Sequence, residues 1–211
     1  MINRQDVIDL AQAYPHDLGY IKELIHPRDE GKDFIVNGNT YRWYAALAAL
    51  MAQEHPTCPI IEIGVRYGYS IGTMVAAASE ARLAQGKPVP ITALAIDNEQ
   101  YITGSVRHWQ RWMRANYPGT GYPHMHKRPH KLEFEAWICS VDGDHSYEGT
   151  LDDLAWAWVH TAPGGVIVVD DMNHKDVPGV RKAVESFIHA VKPEWYEIPS
   201  WRGTALIWRS V

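Results

Sequence analysis

Three aspartates in two short motifs are the residues of this sequence whose types and spacing best suit metal binding. Asp142 closes an apolar run and opens the motif Asp-Gly-Asp-His-Ser-Tyr, and Asp170 and Asp171 close the run that starts at Val166. The carboxyl ends of neighbouring parallel strands lie at one edge of a sheet, so we expect the three carboxylates to converge. No cation nearby in the sequence neutralises all of them, and a divalent ion that prefers oxygen ligands, such as Mg²⁺, would relieve their repulsion. The alternative is that Asp171 caps the next segment and Asp144 faces water.

His145, three residues after Asp142, is the candidate for moving a proton. It lies in a predicted loop, and an unperturbed imidazole pKa of about 6.5 suits proton removal at neutral pH. We therefore predict a general base at His145, with a purely structural histidine as the alternative. His174 follows the acidic pair and could be a further ligand or a substrate contact, but a surface loop position is the simpler interpretation.

A glycine-punctuated turn between residues 60 and 70 predicts a cofactor loop. An apolar strand containing Glu62 leads through Gly64 and Gly68 into a helix. Glycine lets the backbone turn tightly and approach a ligand, and the helix N-terminus offers free N–H groups. The spacing differs from the Gly-x-Gly-x-x-Gly that seats a pyrophosphate, and Glu62 would repel that anion but suit the ammonium group of S-adenosylmethionine. A plain turn without a ligand is the alternative.

Asp97 is the second acidic residue predicted to contact a nucleoside. It closes the strand that follows the glycine turn, and ligands of open α/β sheets bind off the carboxyl ends of the strands. Its carboxylate is placed to accept hydrogen bonds from two ribose hydroxyls. Capping a helix is the alternative role for this side chain.

A parallel sheet is needed to bring these residues together, and the pattern from Cys58 onward predicts one. Short apolar runs alternate with helical segments, which is typical of βαβ units. The predicted strands are Pro59 to Ile63, Ile91 to Ile96, Ala136 to Val141, Val166 to Val169, and an antiparallel closing pair, Glu194 to Ile198 and Thr204 to Trp208. The predicted helices are Ile71 to Leu83, Ser105 to Ala115, Thr150 to Val159 and Val180 to Val191. The segment 116–131 is rich in Gly, Pro and His, and we predict no strand there.

Helical spacing also marks the N-terminal region, where Asn39 or Thr40 can cap a helix that Pro56 ends. With 211 residues, 46% of them hydrophobic, one domain with a sizeable core is expected. We divide it into an N-terminal helical cap, residues 1–56, and an α/β core, residues 57–211.

Composition narrows the class of partner and the compartment. The formal net charge of −5 gives no basic surface for nucleic acid. The sequence has neither the run of roughly 20 apolar residues that a membrane helix needs nor a signal peptide. Cys58 and Cys139 flank or lie in apolar runs, so we expect buried thiols rather than a disulfide. A cytoplasmic protein with a small-molecule partner is expected.

Taken together, these motifs resemble those of class I S-adenosylmethionine-dependent methyltransferases. The resemblance is carried by Glu62-x-Gly64-x-x-x-Gly68-x-Ser70, by Asp97, by Asp142-Gly143-Asp144-His145-Ser146-Tyr147, and by Pro163-Gly164-Gly165 before the run that ends at Asp171. More narrowly, the sequence is similar to metal-dependent O-methyltransferases of the macrocin and mycinamicin type. Cephalosporin-hydroxylase-like proteins and, more distantly, catechol methyltransferase are relatives. The resemblance covers Ile60 to Phe187 and leaves out the N-terminal helices and the insertion from Thr103 to Lys131, where such families differ in substrate.

The resemblance implies a Rossmann-like fold with a seven-stranded, mostly parallel sheet, helices on both faces, an antiparallel last strand and extra N-terminal helices over the cofactor cleft. It implies S-adenosylmethionine as cofactor and O-methyl transfer to a hydroxyl of a sugar or natural product. The implied metal ligands are Asp142, Asp170 and Asp171, with His145 as base and Asp142 as a second catalytic residue. The implied cofactor contacts are Glu62, Gly64, Val65, Arg66, Tyr67, Gly68, Ser70, Asp97, Asn98 and Asp142. The acceptor does not follow from it, and a homo-oligomer is left open.

Two other functions fit parts of the pattern. One is an accessory protein of an oxidative pathway, as the cephalosporin-hydroxylase-like relatives suggest, and the other is a non-catalytic binding module, against which His145 and the carboxylates argue. His124-x-His126-x-x-x-His130 has a metal-like spacing but no neighbouring cysteine or carboxylate, so zinc is not expected there. Trp109 and Trp112 share a predicted helix face, which could line a sugar or aromatic pocket but is more typical of a packed core.

Overall fold

Within the residues that the structure describes, seven strands form a single sheet. The computed structural model describes residues 2–14, 39–55, 57–87, 90–100, 105–118, 120–198 and 202–210. The strands are β1 (Ile60–Ile63), β2 (Ala93–Ile96), β3 (His124–Met125), β4 (Ala136–Val141), β5 (Thr161–Val169), β6 (Glu194–Ile198) and β7 (Thr204–Trp208). They lie in the order β3-β2-β1-β4-β5-β7-β6. Strands β1 to β5 run parallel, and β7 runs antiparallel to both β5 and β6, which confirms the predicted sheet.

The central strands are buried on both faces, which explains why their sequences are continuous apolar runs. Every residue of β1 and of β2 is buried. Ile60 packs into one apolar core, whereas Ile61 and Ile63 pack into the core on the opposite face. Because side chains alternate along a strand, Glu62 lies on the same face as Ile60.

Helices cover both faces of the sheet, as a doubly wound fold requires. The helices are α1 (Arg4–Ala13), α2 (Asn39–Glu54), α3 (Tyr69–Ala84), α4 (Ser105–Asn116), α5 (Tyr147–His160) and α6 (Gly179–Val191). The first four contribute side chains to the core on the Ile60 face, and α5 and α6 contribute to the other core. The N-terminal helix α2 packs along α3, so it lies beside the helix that follows the glycine turn.

Most predicted elements have a bound that differs from prediction by one to three residues, and three further differences concern an unpredicted strand, the start of a strand and a helix cap. Strand β3 was not predicted, because it has only two residues, is not fully buried and pairs with β2 alone. Strand β5 begins at Thr161 rather than at Val166, since Thr161 pairs with Ala136 before an irregularity in the ladder. Asn39 is the first residue of α2 instead of a cap that precedes it, and Pro56 lies outside the described residues.

The two cysteines are buried free thiols, as predicted. Burial raises the pKa of Cys58 to about 12, and it raises the pKa of Cys139 as well, so neither thiol ionises readily. Among the helices that the structure describes, none combines the length and the apolar character needed to cross a membrane.

Candidate active site

Four backbone hydrogen bonds align the ends of the central strands at one edge of the sheet. In each, the residue after one strand donates its amide to the last residue of the neighbouring strand. The donors are Gly64, Asp97, Asp142 and Asp170, with N···O distances of 2.9, 3.0, 2.9 and 3.3 Å. This is the carboxyl edge, where open α/β sheets bind ligands. The glycine turn, the predicted ribose acid and the acidic motifs therefore lie in one row.

The glycines of the predicted cofactor loop are required by packing within the protein. Gly64 and Gly68 have φ angles of +84° and +76°, in the left-handed region that favours glycine. A Cβ on Gly64 would lie 1.9 Å from the carbonyl oxygen of Asp142, and one on Gly68 would lie 2.4 Å from the Trp109 ring. Protein atoms already fill the space of each missing Cβ, so packing alone requires glycine at both positions, and the predicted cofactor contact of the two glycines stays a prediction.

Glu62 is a fully buried carboxyl that links β1 to the start of α3. Its Oε2 accepts a hydrogen bond from the amide of Ile71 at 3.3 Å, and its Oε1 accepts one from Ser140 Oγ at 3.3 Å. Ser70 donates a further side-chain hydrogen bond. Burial raises the pKa of Glu62 well above its ordinary value, since these donors do not replace the lost hydration. The predicted cofactor contact of Glu62 stays a prediction.

Asp97 ties the glycine turn to the loop after β2. Its Oδ2 accepts from the amide of Arg66 at 2.7 Å, and its Oδ1 accepts from the amide of Glu99 at 2.5 Å. Arg66 and Glu99 both adopt positive φ angles, 49° and 53°, which the carboxylate stabilises by fixing both turns. Its carbonyl oxygen lies 2.8 Å from His124 Nε2. Ribose binding by Asp97 stays a prediction, as does the contact predicted for the exposed Asn98.

The other residues of the predicted cofactor loop differ in exposure. Val65 and Tyr67 are buried, and Ser70 is half-buried. Arg66 is exposed, and its guanidinium carbon lies 5.4 Å from the centroid of the Tyr67 ring. A cofactor at this loop could therefore contact Val65 and Tyr67 chiefly through their backbone.

Asp142, His145 and Asp171 form a compact group of metal-ligating side chains. His145 Nε2 lies 3.2 Å from Asp142 Oδ1 and 3.7 Å from Asp171 Oδ2. One ligand atom from each of the three lies within 4.8 Å of the others, and among the described residues no other such group occurs. Asp170 is adjacent, and its Oδ1 accepts from the Asp171 amide and from Thr204 Oγ1, each at 2.9 Å. The predicted ligand role of Asp170 stays a prediction.

The titratable side chains of this group and the neighbouring Asp170 shift one another's pKa. Burial raises the pKa of Asp142, and the charge of Asp171 adds to the rise, although 31% of the Asp142 side chain remains exposed. Burial and then the charges of Asp142 and Asp171 raise the pKa of Asp170 to about 7. The hydrogen bond to Asp142 raises the pKa of His145. The assumption of an unperturbed imidazole was therefore wrong, because the nearby carboxylates stabilise its protonated form.

Arg202 contacts this group of side chains and was not among the residues predicted from the sequence. Its Nε lies 2.5 Å from Asp171 Oδ1, and its Nη2 donates to Asp171 Oδ2 at 2.6 Å. The two residues are far apart in the chain, so local sequence carries no sign of the pair. Strand pairing does carry one, because Val169 of β5 is in register with Ala205 of β7. The two residues before β7, Arg202 and Gly203, must therefore lie beside the residues just after β5.

Comparison with known proteins was made against family models, curated proteins and solved structures. Residues 61–172, more than half of the chain, match the model of a family described as a methyltransferase domain. The chain belongs to this methyltransferase family. The resemblance to class I S-adenosylmethionine-dependent methyltransferases is thereby confirmed. No curated protein matches the sequence.

Solved structures similar to this methyltransferase include several O-methyltransferases. The O-methyltransferase NovP is 15% identical with a TM-score of 0.62, over 84% of this chain and 82% of that one. TomG from Streptomyces achromogenes, involved in tomaymycin synthesis and solved with S-adenosylmethionine, is 17% identical with a TM-score of 0.59, over 99% and 97%. CalS11, a TDP-rhamnose 3'-O-methyltransferase of calicheamicin biosynthesis, is 14% identical with a TM-score of 0.61, over 93% and 98%. At these identities the likeness concerns the fold.

Two tyrosines of α2 bring the N-terminal helix of the methyltransferase close to the acidic cluster. Tyr41 is half-buried and Tyr44 is buried, and their ring centroids lie 6.0 Å apart. Burial raises the pKa of both phenols, and the charges of Asp170 and Asp142 raise it further. The first turns of α2 therefore border the carboxylates. Local sequence could not predict this position, since the two tyrosines have ordinary helical core spacing.

The loop that carries His145 in the methyltransferase is fixed from two sides. Asp153 of α5 accepts from the amide of Asp144, and its Oδ1 lies 2.7 Å from Arg128 Nη1. On the other side, a Cβ on Gly179 would lie 2.7 to 2.9 Å from backbone atoms of residues 145–147. The N-terminus of α6 thus packs directly on the His145 backbone, and Asp153 holds the preceding residue.

The remaining candidates lie outside the group of metal-ligating side chains. His174 is half-buried in the loop after β5, and its Nδ1 accepts from the amide of Asp176 at 3.3 Å. His124 contacts Asp97, and within the described part of the chain no metal-ligating group forms around the 124–130 histidines. Trp109 is fully buried, which confirms its core role, and Trp112 is half-buried against the same core.

Proposed function

We propose that this methyltransferase transfers the methyl group of S-adenosylmethionine to a hydroxyl group of a small molecule with the help of a divalent metal ion. The observation that carries the proposal is the group of Asp142, His145 and Asp171 at the carboxyl edge of the sheet. It lies next to the glycine turn, since a Cβ on Gly64 would touch the Asp142 carbonyl. The glycine turn, which would hold the methyl donor, and the group that would accept the proton are therefore adjacent.

The three carboxylates at this edge offer oxygen ligands that suit a hard divalent cation. Asp142, Asp170 and Asp171 carry up to three negative charges, and the guanidinium of Arg202, which contacts Asp171, compensates for one of them. Burial raises the pKa of Asp170 to about 7, and the negative charges of Asp142 and Asp171 add to the rise. Carboxylate oxygens suit Mg²⁺ or a similar ion. Asp142, Asp170 and Asp171 would hold the metal, and such an ion would lower the pKa of an acceptor hydroxyl.

His145 is placed to take the proton of the acceptor hydroxyl. Its side chain is 37% exposed, and because Nε2 donates to the Asp142 carboxylate, Nδ1 is the ring nitrogen that would accept the proton. The hydrogen bond to Asp142 Oδ1 fixes the orientation of the ring. Asp142 thereby serves as the positioning partner of the base and, in the same proposal, as a ligand of the metal.

The cofactor would lie along the glycine turn, with Asp97 toward the ribose and Glu62 toward the amino-acid end. Bound S-adenosylmethionine supplies a sulfonium methyl carbon to which the acceptor oxygen bonds as the S–C bond breaks. The fixed turns at Arg66 and Glu99 pre-organise the loop, and holding the two reactants in line supplies much of the rate. Isothermal titration calorimetry with S-adenosylhomocysteine tests the assignment, and binding of a nicotinamide cofactor in its place would overturn it.

A small-molecule acceptor of sugar or natural-product type is the class that we propose. CalS11, whose named substrate class is a TDP-rhamnose, and TomG of tomaymycin synthesis share the fold over nearly their whole length. The net charge of −5 agrees with an acceptor other than nucleic acid. The test is a panel of nucleotide sugars, glycosides and catechols, read by mass spectrometry for a gain of one methyl group. Turnover in excess chelator at the full rate would contradict the metal role.

A further inference from the structure

Arg202 forms an ion pair with Asp171 that includes one hydrogen bond, from Nη2 to Oδ2. Nε faces one oxygen at 2.5 Å and Nη2 faces the other at 2.6 Å. The Asp171 side chain is 2% exposed, whereas that of Arg202 is 34% exposed. The guanidinium is therefore the more exposed partner of the pair. A charge-assisted hydrogen bond such as that from Nη2 to Oδ2 is stronger than one between neutral groups.

We propose that Arg202 is a resident counter-ion that competes with the divalent cation for Asp171 and so sets the affinity of the site for metal. The inference rests on the proposed metal role of the cluster. A cation that binds Asp142 and Asp171 meets a carboxylate already in contact with a positive charge. It must share the Asp171 oxygens with the guanidinium or displace it, and either case weakens binding.

The backbone around Arg202 is held independently of its side chain. The Arg202 carbonyl oxygen accepts from the amide of Asn173 at 2.5 Å, and the Gly203 carbonyl accepts from the amide of Met172 at 3.0 Å. Thr204 Oγ1 donates to Asp170 at 2.9 Å. A shorter or neutral side chain at position 202 should therefore leave the loop on the acidic cluster. The charge can be removed without removing the segment that carries it.

If Arg202 positions Asp171 instead of competing for it, the predicted change in metal affinity has the opposite sign. If Arg202 only held Asp171 in the right rotamer, its loss would let the carboxylate turn away, and metal binding would weaken. If Arg202 competes, its loss raises the negative potential of the site, and metal binding tightens. The sign of the change in affinity therefore separates the two roles.

The test is Mn²⁺ binding to the full chain, followed by electron paramagnetic resonance of the free ion, for wild type and for Arg202→Met. We expect the variant to bind Mn²⁺ about tenfold or more tightly, because one unit charge at short range in a partly buried site changes the interaction by at least that factor. Arg202→Lys keeps the charge and should stay near wild type. Arg181→Met is the matched control, because Arg181 is also 34% exposed and ion-paired, but with Glu185 and Glu197 outside the cluster.

Thermal unfolding gives a second readout that does not depend on activity. In chelator, Arg202→Met should melt at a lower temperature than wild type, since Asp171 loses its partner, and Mn²⁺ should raise its Tm by more than it raises that of wild type. Equal or weaker Mn²⁺ binding by Arg202→Met, with binding by wild type intact, would overturn the counter-ion role alone. Absence of Mn²⁺ binding by both proteins would overturn the metal role and this inference together.

Discussion

Gly179 offers a direct test of how closely the His145 loop must be placed. It is the first residue of α6, and a Cβ there would lie 2.7 Å from Tyr147 N and 2.8 Å from His145 O. Ordinary van der Waals contacts of a Cβ begin at 3.4 Å, so Gly179→Ala must push the loop and the helix apart by several tenths of an ångström. Both nearby atoms belong to the backbone, so a rotamer change cannot relieve the contact.

The expected cost of Gly179→Ala follows from that displacement. Overpacking typically destabilises by about 1–3 kcal/mol, against which the better helix propensity of alanine returns at most about 1 kcal/mol. Misplacing a catalytic group by about 1 Å can cost about 10²-fold in rate, so we expect kcat to fall by about tenfold to 10²-fold. The affinity for S-adenosylhomocysteine should hold, because the atoms nearest to a Cβ on Gly179 belong to residues 145–147 and not to the glycine turn.

The assay is the rate of S-adenosylhomocysteine formation, together with urea denaturation and cofactor titration of the same samples. Gly121→Ala is the control, because no atom lies within 4 Å of a Cβ at Gly121 and its φ is not positive. Gly121→Ala should match wild type in rate and in stability. A folded Gly179→Ala protein with the wild-type kcat would refute the close placement of the loop.

Three other outcomes are expected. His145→Ala should lower the single-turnover rate by about 10²- to 10⁴-fold with cofactor affinity unchanged, and a wild-type rate would return His145 to a structural role. The folded-state pKa of Glu62 is raised by burial, so wild type loses stability as pH rises above the ordinary glutamate pKa, whereas Glu62→Gln lacks that loss. The stability of the variant relative to wild type should therefore rise from pH 4 to pH 8 in urea denaturation, and a difference independent of pH would contradict the assignment. Arg128→Met leaves the buried Asp153 without its 2.7 Å partner and should cost about 1–3 kcal/mol of unfolding free energy, which thermal denaturation checks.

The parts of the fold that could be predicted are those in which one strand carries its own signal. β4 and β7 have the predicted bounds, because a buried strand is an apolar run whatever its neighbours are. β6 is only partly buried, and its bounds were predicted from the turn residues that separate it from β7. β3 could not be found in this way, since two partly exposed residues leave no pattern. The start of β5 was missed because Pro163 and the glycines after it are typical of a turn, yet they lie within the strand.

The residues of the candidate active site likewise divide into those that local sequence predicts and those that depend on long-range contacts. Asp142 and Asp171 could be brought together in advance, because strand ends of a parallel sheet meet at one edge. Arg202 could not be found without the pairing of β5 with β7, which is a long-range contact. The protonation preference of His145 depends on distances to Asp142 and Asp171, and a sequence does not contain those distances.

The two edge strands of the described sheet, β3 and β6, each have a feature that discourages the addition of another strand. At one edge β3 is only two residues long, too short to template another strand. At the other edge, β6 contains Glu194 and Glu197, and Arg181 of α6 forms an ion pair with Glu197. Short or charged edges discourage strand addition and aggregation. Self-association through a continuous intermolecular sheet is therefore disfavoured, and any assembly of this protein should use a helical face.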